Sequence, residues 1–504
     1  MTTDDVDSTL RDFRRLIDRL MQGMPDEGSG PRLLDIVEAH LGVPPDGLAV
    51  TSEDVPQHRL VDADIAMAQI AGRDPEHRIV GLGGGDMRHH LTLGDHLQHA
   101  RMGQGGVLAQ VDYDQKATGP GPEDHRNVVA LGLWLFRYRG RPVVVRQQSA
   151  KPQMMRPAGS LDVLAVDPAD AEALVAEVRT LMDEHSVFRG QVVTFSRDPY
   201  GRGLAGVTFL ERPQLHADDV VLPEGLLARV SLHVLGIAEH RDALRAHGQH
   251  LKRGVLLYGP PGTGKTHTMR YLLSASRGTT AILLSGGSLE FIHDAAKVAR
   301  AHQPAIVVLE DVDLIASDRS FGPEAKPLLF EVLDALDGLD SDADVAFLLT
   351  TNRVEDLESA LAQRPGRVDL AAEIPLPDES GRRALLRLYA RELFSDSALD
   401  AAAARSEGTA ASFAKELVRR AVLVAARRGA GDAPADADLA DALNGLQSDG
   451  ESLTRSLLGA GRDGAPEPRG PGPWGPGDRG GPAARGVRPT RRAPSSPEDV
   501  SVAG

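Results

Sequence analysis

The chain has 504 residues, of which 41% are apolar and 25% charged, with a net charge of −16 and no cysteine. This is the composition expected of a soluble globular protein of about two to four domains. It excludes disulfides, thiolate catalysis and cysteine-ligated zinc, and its acidity opposes a generic nucleic-acid surface, so no nucleic-acid partner is expected. No uncharged apolar run reaches membrane-spanning length and the acidic start Met1-Thr2-Thr3-Asp4-Asp5 has no secretory pattern, so the expected location is cytoplasmic with no membrane segment.

Residues 1–31 read as an N-terminal helix and loop. Leu10, Phe13, Ile17, Leu20 and Met24 recur near helical spacing, which suits a helix packed on its own domain. Residues 32–215 have an α+β pattern. Helices are expected over 33–41, ended by Gly42, over 61–70, ended near Gly72, and over 170–184. Strands are expected over 128–138 and 142–146, joined at Arg139-Gly140-Arg141, and over 192–195. Mixed elements with this apolar content imply an independently folded domain, with client or partner binding as its expected task. The glycine-rich stretch from Gly81 to Asp86 lacks the Lys-Ser/Thr of a phosphate loop and the full spacing of a dinucleotide fingerprint, so it reads as a turn. His89, His90, His96 and His99 cluster nearby. With no second ligand group to complete a metal shell they read as scattered surface histidines. An extended segment over 218–225 and helices over 226–235 and 239–247 then lead into the core.

Residues 259–266, Gly-Pro-Pro-Gly-Thr-Gly-Lys-Thr, fit G-x-x-x-x-G-K-[ST] at every position. An apolar run, 254–258, precedes them as a buried strand, and a helix pattern opens at His267. A strand, a glycine loop and a helix start aim backbone N–H groups at one point, which is an anion site suited to nucleotide phosphates. The expected binding residues are Gly259, Pro260, Pro261, Gly262, Thr263, Gly264, Lys265, Thr266 and His267. Lys265 is expected to reach the β- and γ-phosphates and Thr266 to ligate Mg²⁺. The apolar strand 305–309 ends in Glu310-Asp311, with Asp313 beyond. Carboxylates at the carboxyl end of a buried strand hold a Mg²⁺ water shell and polarise an attacking water. Glu310 joins Thr266 as the expected metal holder through water, and both acids are expected catalytic residues. A further strand, 345–351, delivers Asn352 to orient that water. Arg364 and Arg367, three apart on Arg-Pro-Gly-Arg, suit recognition of a γ-phosphate on a neighbouring subunit.

With these residues in order, the chain resembles the AAA family of P-loop ATPases over about 218–446. The resemblance rests on GPPGTGKT at 259–266, LEDVD at 309–313, TTNR at 350–353 and RPGR at 364–367. It implies an α/β P-loop core of parallel sheet and flanking helices over 216–390, a small helical lid over 391–446, ATP with Mg²⁺ as cofactors, and a ring, usually hexameric. It also implies ATP hydrolysis in trans, with Asn352 as first sensor and Arg364 and Arg367 as arginine fingers. The phosphate loop alone leaves guanine open, and the resemblance selects adenine. Three departures bear on function. Glu310-Asp311 reverses the usual Asp-Glu order, so a carboxylate one methylene shorter stands at the catalytic position and slower turnover is expected. The segment between Asn352 and Arg364 is one residue longer than usual. The aromatic substrate-gripping pore loop is missing from the short stretch 285–300, where Leu289-Glu290-Phe291-Ile292 is the nearest substitute. The expected function is an ATP-hydrolysing machine that remodels a protein client, with a slowly hydrolysing, nucleotide-gated scaffold as the alternative. Residues 447–504 turn rich in Pro, Gly and Arg and read as a disordered tail.

Overall fold

The structure, a computed structural model, describes residues 32–102, 106–151, 156, 158–197, 204–313, 343–353, 368–428 and 433–448. The expected N-terminal helix, the arginine pair Arg364 and Arg367, and the tail beyond Ser448 lie outside the described residues.

The first sheet is antiparallel throughout. Its strands are β1 (Val50–Pro56), β2 (Arg78–Leu82), β3 (Leu108–Ala109), β4 (Asp112–Ala117), β5 (His125–Tyr138), β6 (Arg141–Gln148) and β7 (Ala158–Ala165). They run in the order β1-β7-β6-β5-β2-β3, with β4 pairing β5. The expected hairpin is β5–β6, and its Arg139 and Gly140 both take positive φ. Alternate side chains of β5 enter opposite layers. Leu131, Leu133 and Leu135 meet α1 (Leu33–Leu41), while Trp134, Phe136 and Tyr138 meet α2 (Leu60–Ala71) and a later helix, Pro168–Glu184. That burial on both faces is why β5 and β6 read as unbroken apolar runs rather than alternating ones. A third helix, α3 (Leu93–Arg101), joins α1 on its face through Leu93 and Leu97. Its N-terminus is set by Thr92, whose hydroxyl accepts from the Asp95 N–H while the Asp95 carboxylate accepts from the Thr92 N–H. Pro168–Glu184 is α4. Pro168 opens it, where the missing N–H costs nothing, and Asp167 caps it.

The second sheet holds β8 (Val192–Arg197), β9 (Leu204–Leu210), β10 (Arg253–Tyr258), β11 (Thr280–Ser285), β12 (Ala305–Glu310), β13 (Val345–Thr351) and β14 (Leu370–Glu373), in the order β14-β10-β13-β12-β11-β8-β9. All neighbours are parallel except β9, which folds back on β8. Here the structure departs from the sequence reading. That reading placed the 192–195 strand inside the domain 32–215, yet β8 pairs with β11 and extends the parallel sheet. The reason is tertiary. Val193 and Phe195 share one apolar layer with Ile282, Val307 and Phe347, and local pattern cannot reveal that partnership.

Short helices α5 (Leu226–Ser231) and α6 (Arg241–Ala246) precede β10, with a π turn (Leu232–Gly236) after α5. Two longer helices cross the sheet, α7 (Lys265–Ala275) and α8 (Ile292–Ala301), on opposite layers. Four more form the lid: α9 (Glu379–Ala390), α10 (Asp396–Arg405), α11 (Ala411–Arg428) and α12 (Asp436–Gln447). α9 belongs to this bundle rather than to the sheet, since Leu385, Leu386 and Ala390 pack with Phe413, Leu417 and Leu443. The lid therefore begins before residue 391, where the sequence reading started it.

The antiparallel domain and the parallel sheet meet through a buried polar chain. Ser186 Oγ donates to Asp62 on α2 at 2.8 Å and lies 3.3 Å from Nε2 of His302, a residue between the helix Ile292–Ala301 and β12. The Val187 N–H closes the other Asp62 oxygen at 3.0 Å. Burial pushes the Asp62 carboxyl up and the His302 imidazole down to about 4, so His302 is neutral at pH 7.

Candidate nucleotide site

β10, β12 and β13 lie side by side with their carboxyl ends at one edge, because β13 pairs with both neighbours in register, Thr351 opposite Tyr258 and Leu349 opposite Leu309. The phosphate loop leaves β10 there and enters α7. Gly259, Gly262 and Gly264 all have positive φ, at 144°, 77° and 111°. A side chain on Gly259 would strike the Ile374 carbonyl and one on Gly262 would strike Ser412 Oγ, while Gly264 faces open space. The loop thus needs glycine for two reasons, backbone conformation and close approach. Thr263 Oγ1 donates to the Pro260 carbonyl at 2.9 Å and Thr268 Oγ1 to the Gly264 carbonyl at 3.0 Å, which fixes the curl.

Lys265 is the first residue of α7 and is buried, its Nζ donating to the Gly259 and Pro260 carbonyls at 2.8 Å. Burial pushes its ammonium down from the ordinary range, and the charges of Asp311 and Asp313 oppose that shift. His267 Nε2 lies 2.9 Å from the Asp219 carbonyl and so ties α7 to the segment entering the core. Glu310 ends β12. Burial, and then the neighbouring Asp311 charge, push its carboxyl up, while Arg270 and a hydrogen bond with Thr266 draw it down. A hydroxyl and a half-buried carboxylate in contact form an oxygen donor pair that suits a hard divalent cation such as Mg²⁺.

Asp311 has φ 50° and its N–H donates to Thr350 Oγ1 at 3.0 Å. Aspartate tolerates this left-handed conformation better than most side chains do. The turn carries Asp311 toward Asn352, whose Nδ2 stands 3.5 Å from its Oδ1, while the Asn352 N–H donates to Asp313 at 3.2 Å. The loop, both acids and Asn352, predicted from three separate stretches, therefore converge. The loop, Asp311 and Asn352 border a cleft of about 460 Å³, and Glu310 joins the site through its hydrogen bond with Thr266.

Four residues that sequence reasoning passed over also line this cleft: Arg270, Tyr389, Ser412 and Lys415. Arg270 carried a local signal, since it follows Thr266 by one helical turn. The other three come from the lid. Ser412 reaches the site because its N–H donates to the Gly262 carbonyl at 3.1 Å, docking the start of α11 on the phosphate loop. One expected substitute moves the other way. Leu289 and Phe291, offered in place of a pore loop, are buried in the sheet's apolar layer.

Among the described residues, no helix is long and apolar enough to cross a membrane. Residues 255–376 match the family described as ATPase family associated with various cellular activities (AAA). ATP-dependent zinc metalloprotease FtsH 3 of Sphaerobacter thermophilus is 33% identical over 324 residues, 61% of this chain and 62% of that protein. The proteasome-activating nucleotidase of Sulfurisphaera tokodaii is 26% identical over 302 residues, 57% of this chain and 74% of that one. The 26S proteasome regulatory subunit 8 of Caenorhabditis elegans is 35% identical over 169 residues, 31% of this chain and 40% of its own length. The chain spans between 38% and 62% of the length of the first three metalloproteases it matches. With the phosphate loop on β10, paired acids at the end of β12 and Asn352 after β13, residues 255–376 form an ATPase domain of the AAA family.

Proposed function

We propose that the chain binds and hydrolyses ATP with Mg²⁺ and couples that cycle to the remodelling of a protein client held by the antiparallel domain. The observation that carries this reading is the convergence of loop, Asp311, Asn352 and lid on one cleft. ATP supplies the phosphoanhydride bond and Mg²⁺ the positive charge that screens its phosphates. Lys265 and the loop N–H groups bind and orient the β- and γ-phosphates. Thr266 and Glu310 would hold the cation. Asp311 orients the attacking water and accepts its proton, and Asn352 fixes that water beside Asp311. Arg364 and Arg367 reach the nucleotide of a neighbouring subunit in a ring, which is hexameric on this reading. A lid whose N–H contacts the loop at Gly262 gives the cleft a means to report its state to α11.

A second reading has one observation in its favour. Leu289 and Phe291 are core residues, so no aromatic grip is offered between β11 and α8. On that reading the protein assembles and gates an interaction by nucleotide state, without threading a chain. Steady-state hydrolysis and solution mass with ATP and Mg²⁺, for wild type, Lys265→Ala and Arg367→Ala, test the proposal. Turnover lost in both variants, with the assembly of Arg367→Ala intact, supports it. A monomer that turns over as fast without Arg367 refutes catalysis in trans.

A further inference from the structure

The glycine stretch and the histidines, which the sequence reading left as a turn and as surface groups, come together in the antiparallel domain. Gly83–Gly85, Met87, His96 and His99 line one side of a cavity of about 800 Å³, and Gly106, Val107 and the short strand β3 form its opposite wall. The Gly83 N–H donates to the Val107 carbonyl at 2.8 Å and ties the two walls together. His89 and His96 are buried rather than surface groups, and His96 Nε2 lies 3.1 Å from the Arg88 carbonyl. Behind them Arg146, fully buried and paired with Asp162, holds the Leu91 carbonyl, so this wall is rigid. Gly84 and Gly85 are exposed on the rim and carry no side chain, which lets another element approach closely.

The described chain begins at this cavity. Arg32, the first described residue, forms an antiparallel bridge with Val107, and the Leu33 N–H donates to the Gly106 carbonyl at 2.7 Å. Because the bridge is antiparallel, its register continues N-terminally toward Leu108 and Ala109, both of which line the cavity. The surface around that opening is apolar. Among the described residues of the antiparallel domain, the most exposed large apolar side chains are Met87 at 63%, Met102 at 61% and Tyr113 at 55%. Met87 lines the cavity, Met102 follows α3, whose His96 and His99 line it, and Tyr113 follows Asp112, which pairs with Arg88 in its wall. Methionine and tyrosine exposed around one opening mark a docking surface for apolar side chains.

The first 31 residues supply an occupant of matching chemistry. Leu10, Phe13, Ile17, Leu20 and Met24 recur at alternating spacings of three and four, which puts all five on one narrow stripe of a helix. Residues 10–24 as a helix are about 22 Å long. That is little more than two heptads, short of the roughly three to four that identify a coiled coil, and near the length at which a lone helix is marginal in water. The stripe therefore needs a surface to pack on. Residues 25–31 join it to Arg32 and span at most about 25 Å, so the opening is within reach. A connector this short gives an effective concentration of about 1 mM, roughly a thousandfold above that of a second copy at about 1 µM. A helix is about 10–12 Å across, so it lies over the opening and only its side chains enter.

We propose that residues 10–24 of the same chain dock on this cavity, with Leu10, Phe13, Ile17, Leu20 and Met24 turned inward against Met87, Met102 and β3. The chain has no cysteine, so introduced thiols report on this contact alone. In the full chain, Phe13→Cys combined with Met87→Cys is oxidised at about 1 µM protein and the link is located by mass spectrometry. A disulfide within one chain is expected, formed at least about tenfold faster than when Arg15→Cys replaces Phe13→Cys, because residue 15 lies on the far side of the helix. Met102→Cys in place of Met87→Cys repeats the comparison at the other end of the opening. A second measurement needs no disulfide geometry. With a docking constant of about 0.1 mM against an effective concentration of about 1 mM, the opening is free about one-tenth of the time. Met87→Cys alone should therefore react with a maleimide about tenfold more slowly than Met87→Cys combined with Phe13→Asp, while Arg15→Asp leaves the protection intact. Links between two chains, in a yield that rises with protein concentration, overturn the proposal and assign the stripe to pairing of copies. Equal disulfide rates at residues 13 and 15 overturn it as well, and so does a Met87→Cys reactivity that Phe13→Asp does not change.

Discussion

Asp311→Asn separates the chemistry of the nucleotide site from its architecture. The backbone of Asp311 is left-handed, with φ 50°, a conformation that asparagine adopts as readily as aspartate. The N–H bond to Thr350 Oγ1 at 3.0 Å uses the main chain and survives the change. The substitution therefore removes a proton acceptor and one negative charge and leaves the loop in place. General-base assistance contributes about 10²–10⁴-fold, so turnover should fall by that factor, equivalent to about 3–5 kcal/mol of barrier. Nucleotide affinity should change little, since Lys265, Thr266 and the loop N–H groups are intact. The assay is single-turnover hydrolysis of radiolabelled ATP, with a fluorescent ATP analogue to measure binding. Asp311→Glu provides the converse. It restores the acid but places a longer side chain at a position that disfavours it, so turnover should lie between the asparagine variant and wild type. Turnover by Asp311→Asn within fivefold of wild type, at full nucleotide occupancy, would show that Asp311 is not the base.

Gly262→Val places a β-branched residue at φ 77° with its side chain against Ser412, so nucleotide affinity should fall by at least about tenfold as loop and lid are forced apart, read with the same fluorescent analogue. Unchanged affinity would mean that the lid contact is dispensable. Asp344→Ala strips the partner from Arg253, a pair 2.8 Å apart with both side chains 2% exposed, and leaves a buried charge, which should cost about 3–5 kcal/mol of stability in chemical denaturation. A loss below about 1 kcal/mol would show that the Val234 and Leu251 carbonyls, which Arg253 also holds, suffice. Burial holds His96 down to about 4 in the folded protein, against 6.5 when exposed. Between those values the unfolded chain binds the extra proton, so the stabilisation is present above pH 6.5 and is lost as pH falls toward 4. The loss is on the order of 3 kcal/mol, and His58 and His302, depressed to the same range, act in the same direction. Melting temperature should decline from pH 7 to pH 4.5, and a flat profile would refute the buried neutral histidines.

The sequence by itself determined the nucleotide core. Gly259 to Thr266, Glu310-Asp311 and Asn352 each end an apolar run short enough to be a buried strand, and a parallel sheet with such strands has one edge at which to present them. Local pattern was sufficient because each motif's geometry is made within a few residues of it: a glycine turn, a helix start, a strand end. The same holds for α1, α2, α4 and the β5–β6 hairpin, whose caps and turn residues lie in the sequence beside them. What only the tertiary structure decided depended on partners far along the chain. Val192–Arg197 joins the ATPase sheet because its apolar face fits β11, Ser412 and Lys415 reach the cleft because the lid docks on Gly262, and Leu289 and Phe291 are core because the sheet leaves room for them. The histidines could not be interpreted from spacing either. Whether His96 is a ligand, a surface group or a buried donor is set by the Arg88 carbonyl in front of it and the buried arginine behind it, and a linear sequence places neither.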